Sequence, residues 1–284
     1  MKEIKMKRTV FWGSLFAFFL NYGALNAFAT EIKDKIQIVI GTTTGDFAEL
    51  VKEGLKPALE KKGYRVKLVE FTDYVRPNLA LGEGSLDVNI FQHKPYLQQF
   101  AKEKNLALTP IAEVPTAPLG LYAGKTKTLA EVKEGSAIGV PNDPTNLARA
   151  LVILSDLNWV TLSPSIDPLR VTIKDITANP KKLKFAQLEA AQLPRALADL
   201  DFAVINGNYA TGAGIALTSA LSKEKSDAYI NVAVVKTSNV NAPFAKEIAA
   251  ELKSEAFQKF ASRKFAGYKF PAYWKAPIGE AEAL

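Results

Sequence analysis

An α/β fold of two lobes follows from three features of the sequence. Three strand patterns separated by helical patterns fill residues 35–93, the βαβαβ order of a mostly parallel sheet. A second block, from about 137 to 209, repeats that alternation. Two extended apolar stretches, 111–125 and 226–239, flank the second block and read as crossings between lobes. The second lobe is therefore expected to be inserted into the first. Lobe 1 would comprise 30–118 plus 235–284, and lobe 2 would comprise 119–234. Each lobe is expected to hold a mixed, mostly parallel sheet with flanking helices.

The elements follow in order. KIQIVIG places Ile36, Ile38 and Ile40 on one face, which is period two. A helix then runs through Phe47, Leu50, Val51, Leu55 and Leu59, with Thr44 or Asp46 as its candidate cap. The glycine–threonine turn before it lacks the lysine of a phosphate-gripping GxxxxGK[ST] loop. Val66 and Leu68 mark the second strand, and DVNIF marks the third. Pro95 stands at the first turn of an amphipathic helix carrying Tyr96, Leu97 and Phe100. Two prolines in 111–125 fit an edge strand or a strand leaving one lobe for the other.

In the second block, LAEVKEG reads as a short helix and SAIGVPND as a strand with its loop. DPTNLARALVILSDLNWV is the longest helical pattern to that point, with Asp143 or Thr145 as cap, Pro144 in the first turn and Leu147, Leu151 and Leu154 inward. KLKF is strand-like. QLEAAQLPRALADL is helical but interrupted at Pro194. DFAVIN is a buried strand with Asn206 at its C-terminal end. The chain closes with a return strand in 226–239, two helices and an aromatic tail.

The N-terminus has the three parts of a secretory signal peptide: basic MKEIKMKR, apolar TVFWGSLFAFFL and small residues at Ala27 and Ala29. Cleavage after Ala29 is expected. The apolar core is shorter than the ~20 residues of a bilayer span. Losing residues 1–29 removes Lys2, Lys5, Lys7 and Arg8 against Glu3, so +7 less +3 leaves +4. The lysines are scattered among glutamates with no basic stripe, which argues against nucleic acid as a partner. There is no cysteine, hence no disulfide and no thiolate nucleophile.

Candidate functional residues gather at strand-to-helix junctions, where open α/β sheets bind ligands. His93, the only histidine, lies between Phe91 and Tyr96. It has three readings: a ligand hydrogen bond, a cap on local backbone, or the base of a hydrolase. The last lacks a GxSxG or comparable context. A metal site is not expected, because no HxH, HExxH or carboxylate cluster accompanies it. Asn146 and Arg149 share one side of the first helical turns. A cation there opposes the helix dipole, and a bound carboxylate would compensate it bidentately. Asn206 is either a turn cap or an amide offered to a ligand. Tyr74, Phe91 and Tyr96 are core aromatics or the wall of an apolar slot. With no cofactor motif, the set fits capture of a small molecule between two closing lobes, the hinge motion of periplasmic binding proteins.

The stretches FTDYVRPNLAL, NIFQHKPYL, PNDPTNLARAL, LEAAQLPRAL and DFAVINGNYA, in that order, resemble the NlpA/MetQ family of methionine-binding proteins, the capturing components of ABC importers. The resemblance runs from about Ile38 to Pro277 and implies a two-lobe, type II-like periplasmic binding protein with two crossover strands. It implies a methionine ligand, taken as the L enantiomer, with D-methionine, another small amino acid or a dipeptide as alternatives. By resemblance Tyr74, Phe91, His93 and Tyr96 line the methionine pocket, with the aromatics around the thioether. Arg149 clamps the carboxylate with Asn146 nearby, and Asn206 holds the amino-acid end. A membrane permease and a cytosolic ATPase are the implied partners, no cofactor is needed, and the chain is expected to act as a monomer in the periplasm. Many family members carry a lipidated cysteine after the signal peptide. This chain has none, so it is expected to be soluble or held by an uncleaved N-terminus.

Overall fold

Alternating burial at the start of β1 (Gln37–Thr43) opens the first sheet: Ile38 and Ile40 are fully buried. A computed structural model of the protein describes residues 35–274. The signal-peptide reading of residues 1–29 and the last ten residues of the tail lie outside them. From Ile36 on, the chain forms one unit. Among the described residues no helix is long and apolar enough to cross a membrane.

After β1 comes α1 (Asp46–Glu49), continued by a π-helical segment (Leu50–Leu55) and α2 (Lys56–Lys61). Neither expected cap is used. Gly45 takes the N-cap position at φ 95°, and Asp46 is the first helical residue. The positive φ suits glycine, and a Cβ there would stand 3.0 Å from the Asn208 carbonyl. Next follow β2 (Arg65–Phe71), α3 (Arg76–Glu83), β3 (Val88–His93), α4 (Lys94–Lys104) and β4 (Leu108–Val114).

Segment 111–125 is not one strand. β4 ends at Val114, and β5 (Gly120–Ala123) begins the second sheet. Pro115 and Pro118 fall between them, where neither has to donate a ladder hydrogen bond. The second lobe continues with β6 (Ala137–Pro141), α5 (Pro144–Asp156), a small pair of β7 (Thr161–Leu162) and β8 (Ile176–Ala178), and β9 (Lys184–Leu188). The expected helix LAEVKEG shrinks to one 3₁₀ turn at Leu129–Glu131, held by a capping box from Thr128. The stretch around Pro194 breaks into short turns. α6 (Leu193–Ala196) is the only α-helical one, with the proline in its first turn. Then come β10 (Phe202–Ile205), α7 (Gly207–Gly212) and β11 (Ser222–Lys223).

The return strand is shorter than expected. β12 (Asn231–Lys236) pairs antiparallel with both β3 and β4, inside the first sheet. The expected division at 235 therefore runs through a strand that the first sheet holds from Asn231 onward. The chain crosses back over residues 224–230. α8 (Pro243–Leu252) and α9 (Glu255–Lys264) finish the first lobe.

The first sheet has the order β2-β1-β3-β12-β4 and the second β11-β5-β10-β6-β9. Both are mixed. β1 runs parallel to β2 and β3, and β6 parallel to β9 and β10, while the returning strands are antiparallel. One core packs Ile38, Ile40, Val88 and Ile90 against Ile248, Leu252 and Phe257. Another packs Ile138, Val140, Phe202 and Val204 against Leu147, Leu151 and Leu154 of α5. Each such buried side chain contributes about 1.5–3 kcal/mol, so each sheet has an apolar core of its own.

Asp46 gives the fold a pH dependence of unusual sign. It is 5% exposed, and its Oδ1 accepts from the Phe47 N–H at 2.8 Å. Burial pushes its carboxyl up to about 7, against the opposing pull of the Tyr268 hydroxyl. The folded protein thus takes up a proton that the unfolded chain, near 3.8, does not. Stability from this group falls as pH rises through that window and is constant above it. Asp46→Asn should melt higher than wild type at pH 8, by several degrees at about 2–4 °C per kcal/mol. The gap should close toward pH 4. Calorimetric melts across this range test it, and a gap that does not change with pH would be evidence against it.

Candidate functional site

His93 closes β3 and caps α4. Its Nδ1 accepts the Tyr96 backbone N–H at 3.1 Å, which leaves the Nε2 proton for the cleft. Burial, with the Arg149 guanidinium beside it, holds the imidazole well below its usual range, so the ring is neutral at pH 7. Nε2 lies 3.4 Å from Asn146 Oδ1. The capping and cleft-facing readings of His93 both apply, one to each nitrogen.

Asn146 and Arg149 lie on the first turns of α5, whose N-cap Asp143 accepts from the Asn146 N–H at 3.0 Å. Asp143 Oδ2 also takes the Asn146 side-chain N–H at 2.8 Å, turning the Asn146 oxygen into the cleft. That oxygen receives Arg149 Nη1 at 2.7 Å and Asn206 Nδ2 at 3.0 Å, besides facing His93. Three donors from three junctions thus converge on one point. Asn206, at the end of β10, keeps a buried Oδ1 with no hydrogen-bond partner among the described residues. A buried unpaired acceptor costs about 1–3 kcal/mol, which a donor arriving from a ligand would relieve.

Arg149 differs from expectation in one respect. It is not waiting for a carboxylate to balance it. Its Nε and Nη2 grip Glu224 at 2.8 and 2.6 Å, with the two side chains 4% and 5% exposed. Its guanidinium also lies 4.5 Å from the Tyr229 ring centroid. Both partners sit on the return crossing, 75 and more residues away, and neither was a candidate. Nothing local in the sequence marks them.

The aromatic wall comes from the first lobe. Tyr74 stacks on Phe91 at 5.9 Å, and Tyr96 meets both rings edge-on. Tyr74 also reaches across the cleft. Its hydroxyl donates to Asn208 Oδ1 at 2.6 Å, and its ring lies 4.9 Å from that of Tyr209. Asn208 Nδ2 donates to Thr43 Oγ1 at 3.3 Å. These contacts join α7 of the second lobe to the strand ends of the first.

All seven candidates, Tyr74, Phe91, His93, Tyr96, Asn146, Arg149 and Asn206, line one cavity between the sheets, with Asn208 and Gly207 beside them. The volume open to the centre of a water molecule is about 20 Å³, room for about one water and too little for an amino acid. Admission of a larger molecule requires the lobes to part. The hydrolase reading finds no support in this geometry. His93 meets a backbone N–H and an amide, and the one hydroxyl from threonine in the lining, Thr116, donates to Val114 O and accepts from Asn231 N–H. Among the described residues no three His, Asp or Glu side chains cluster as metal ligands.

Two mixed sheets, two crossings and a closed polar-and-aromatic cleft define a two-lobe periplasmic binding protein, a class that captures a ligand without transforming it. The chain belongs to the NlpA lipoprotein family, which it matches over residues 38–273. The D-methionine-binding lipoprotein MetQ of Salmonella typhi is 38% identical over 248 residues, 86% of this chain and 91% of that protein. A nutrient binding protein from Burkholderia cenocepacia, solved bound to methionine, aligns with a TM-score of 0.77 at 38% identity, over 82% of this chain and 100% of that one. The crystal structure of the methionine binding protein MetQ aligns at 0.80 with 36% identity, over 86% and 100% of the two chains.

Proposed function

We propose that this protein captures methionine between its lobes and delivers it to a membrane permease driven by a cytosolic ATPase. The observation that carries this reading is the convergence of Arg149, His93 and Asn206 on Asn146 Oδ1, with Asn206 Oδ1 unpartnered beside it. Donors that converge suit a carboxylate, and the open acceptor suits an ammonium group. Tyr74, Phe91 and Tyr96 supply the apolar wall that a thioether chain needs, with favourable sulfur–aromatic contact. The names of the family relatives support the same ligand. Family membership, together with the signal-peptide pattern of residues 1–29, supports export to the periplasm and partnership with an importer.

The family resemblance of the sequence implies L-methionine. The relatives named for D-methionine favour the D enantiomer instead. Exchange of hand swaps two of the three attachment points, so one arrangement of carboxylate, ammonium and side chain fits better than the other. Calorimetric titration of ligand-stripped protein with each enantiomer tests the proposal. Saturable binding of D-methionine, tighter than that of L-methionine, is the expected result. Binding of neither would sink the methionine reading, and a preference for the L form would reverse the choice of hand.

A further inference from the structure

The ion pair behind the cleft bears on which ligands the cleft accepts. Among the described residues Arg149 is the one charged side chain in the lining, since His93 is neutral, and Glu224 already balances it through both carboxylate oxygens. Asp143 stands one hydrogen bond away through Asn146. A ligand bearing only a carboxylate would bring a second anion to a guanidinium that has one, in a space nearly closed to water. An unbalanced buried charge is costly there. A zwitterion brings its own counter-charge, and Asn206 Oδ1 is open to receive it.

We propose that Glu224 is a positioning and specificity-determining residue: by neutralising Arg149 it makes the cleft select zwitterionic α-amino acids over the corresponding carboxylates that lack the amino group. Its placement fits a second part of that role. The Glu224 N–H donates to Leu119 O at 3.0 Å, and Glu224 Oε1 accepts from Leu119 N–H at 3.0 Å. Leu119 lies on the outgoing crossing and Glu224 on the return, so one carboxylate ties both crossings to the arginine of the cleft. Tyr229, on the same return segment, covers the guanidinium face.

This inference rests on the reading of the cleft as an amino-acid site, and its test separates the two. Wild type, Glu224→Gln and Glu224→Asp are titrated calorimetrically with matched pairs: methionine of each hand against 4-(methylthio)butanoate, and leucine against 4-methylpentanoate. Glutamine keeps the size and the acceptor for Leu119 N–H but removes the charge. Wild type is expected to prefer the amino acid within a pair. Glu224→Gln is expected to narrow that preference by about tenfold or more, by weaker binding of the amino acid and stronger binding of the bare carboxylate. Glu224→Asp is expected to retain the wild-type ratio, which a purely structural role would not distinguish from glutamine. An unchanged ratio in Glu224→Gln overturns the proposal, as does a wild type that binds both members of each pair equally. If wild type binds leucine but not methionine, the methionine reading fails and the leucine pair still decides the role of Glu224. Binding of none of the ligands overturns both. Thermal melts of the three proteins confirm that each is folded.

Discussion

Arg149→Ala should weaken ligand binding by about 10–100-fold and destabilise the second lobe. Two separate losses are involved. The guanidinium Nη1 points into the cleft, and a charge-assisted pair with a carboxylate is worth about 1.5–3 kcal/mol per bond. Loss of that bond weakens binding by about 10–100-fold. The second loss is internal. Without the arginine, Glu224 is an unpaired carboxylate at 5% exposure, and breaking a buried pair from one side costs about 3–5 kcal/mol. Denaturant unfolding measures the second effect, and titration of the folded fraction measures the first. The double replacement Arg149→Leu/Glu224→Leu should recover much of the stability, because no charge is then left alone, while binding stays weak. A folded Arg149→Ala that binds methionine as wild type does would remove the carboxylate clamp from the proposal.

Gly207→Ala should lower affinity by about 10–100-fold with a smaller loss of stability. Gly207 opens α7 between Asn206 and Asn208, directly against the outgoing crossing. A Cβ there would stand 2.4 Å from Ala117 Cβ, 2.7 Å from its carbonyl carbon and 2.8 Å from its carbonyl oxygen. Two of these neighbours are backbone and cannot rotate away. The crossing and the helix must separate, at about 1–3 kcal/mol for overpacking. Asn206 and Asn208 then move off Asn146 and Tyr74, the contacts that join the two sides of the cleft. Affinity by titration and stability by melting should dissociate. Wild-type affinity in a destabilised Gly207→Ala would show that this close approach does not matter to capture.

The junction at 87–100 shows how far local sequence reaches. Alternation marks β3, proline at the first turn marks α4, and a histidine between aromatics marks the place where they meet. The same signals mark β6 leading into α5, with Asp143 as cap, and β10 leading into α7 with Asn206 at the turn. Periodicity says which side chains share a face, and strand ends of an α/β sheet share one edge. That is enough to bring the seven candidates to one place. It does not say what those side chains touch. Arg149 reads locally as an uncompensated cation because Glu224 lies 75 residues downstream, among two lysines and two serines that look like solvated loop.

Local patterning carried the main strands and helices and their order, the repeat of one α/β logic in two blocks, and the residue types that gather at the strand ends, while the helices expected at LAEVKEG and around Pro194 gave way to short turns. These are local properties, set by side-chain period, caps and prolines. Tertiary structure alone decided that β12 enters the first sheet between β3 and β4, that segment 111–125 divides at its prolines, and that Glu224 and Tyr229 hold the arginine of the cleft. Those outcomes depend on contacts between residues far apart in the chain. Such contacts exist only once two lobes have folded and met, and no local periodicity encodes them.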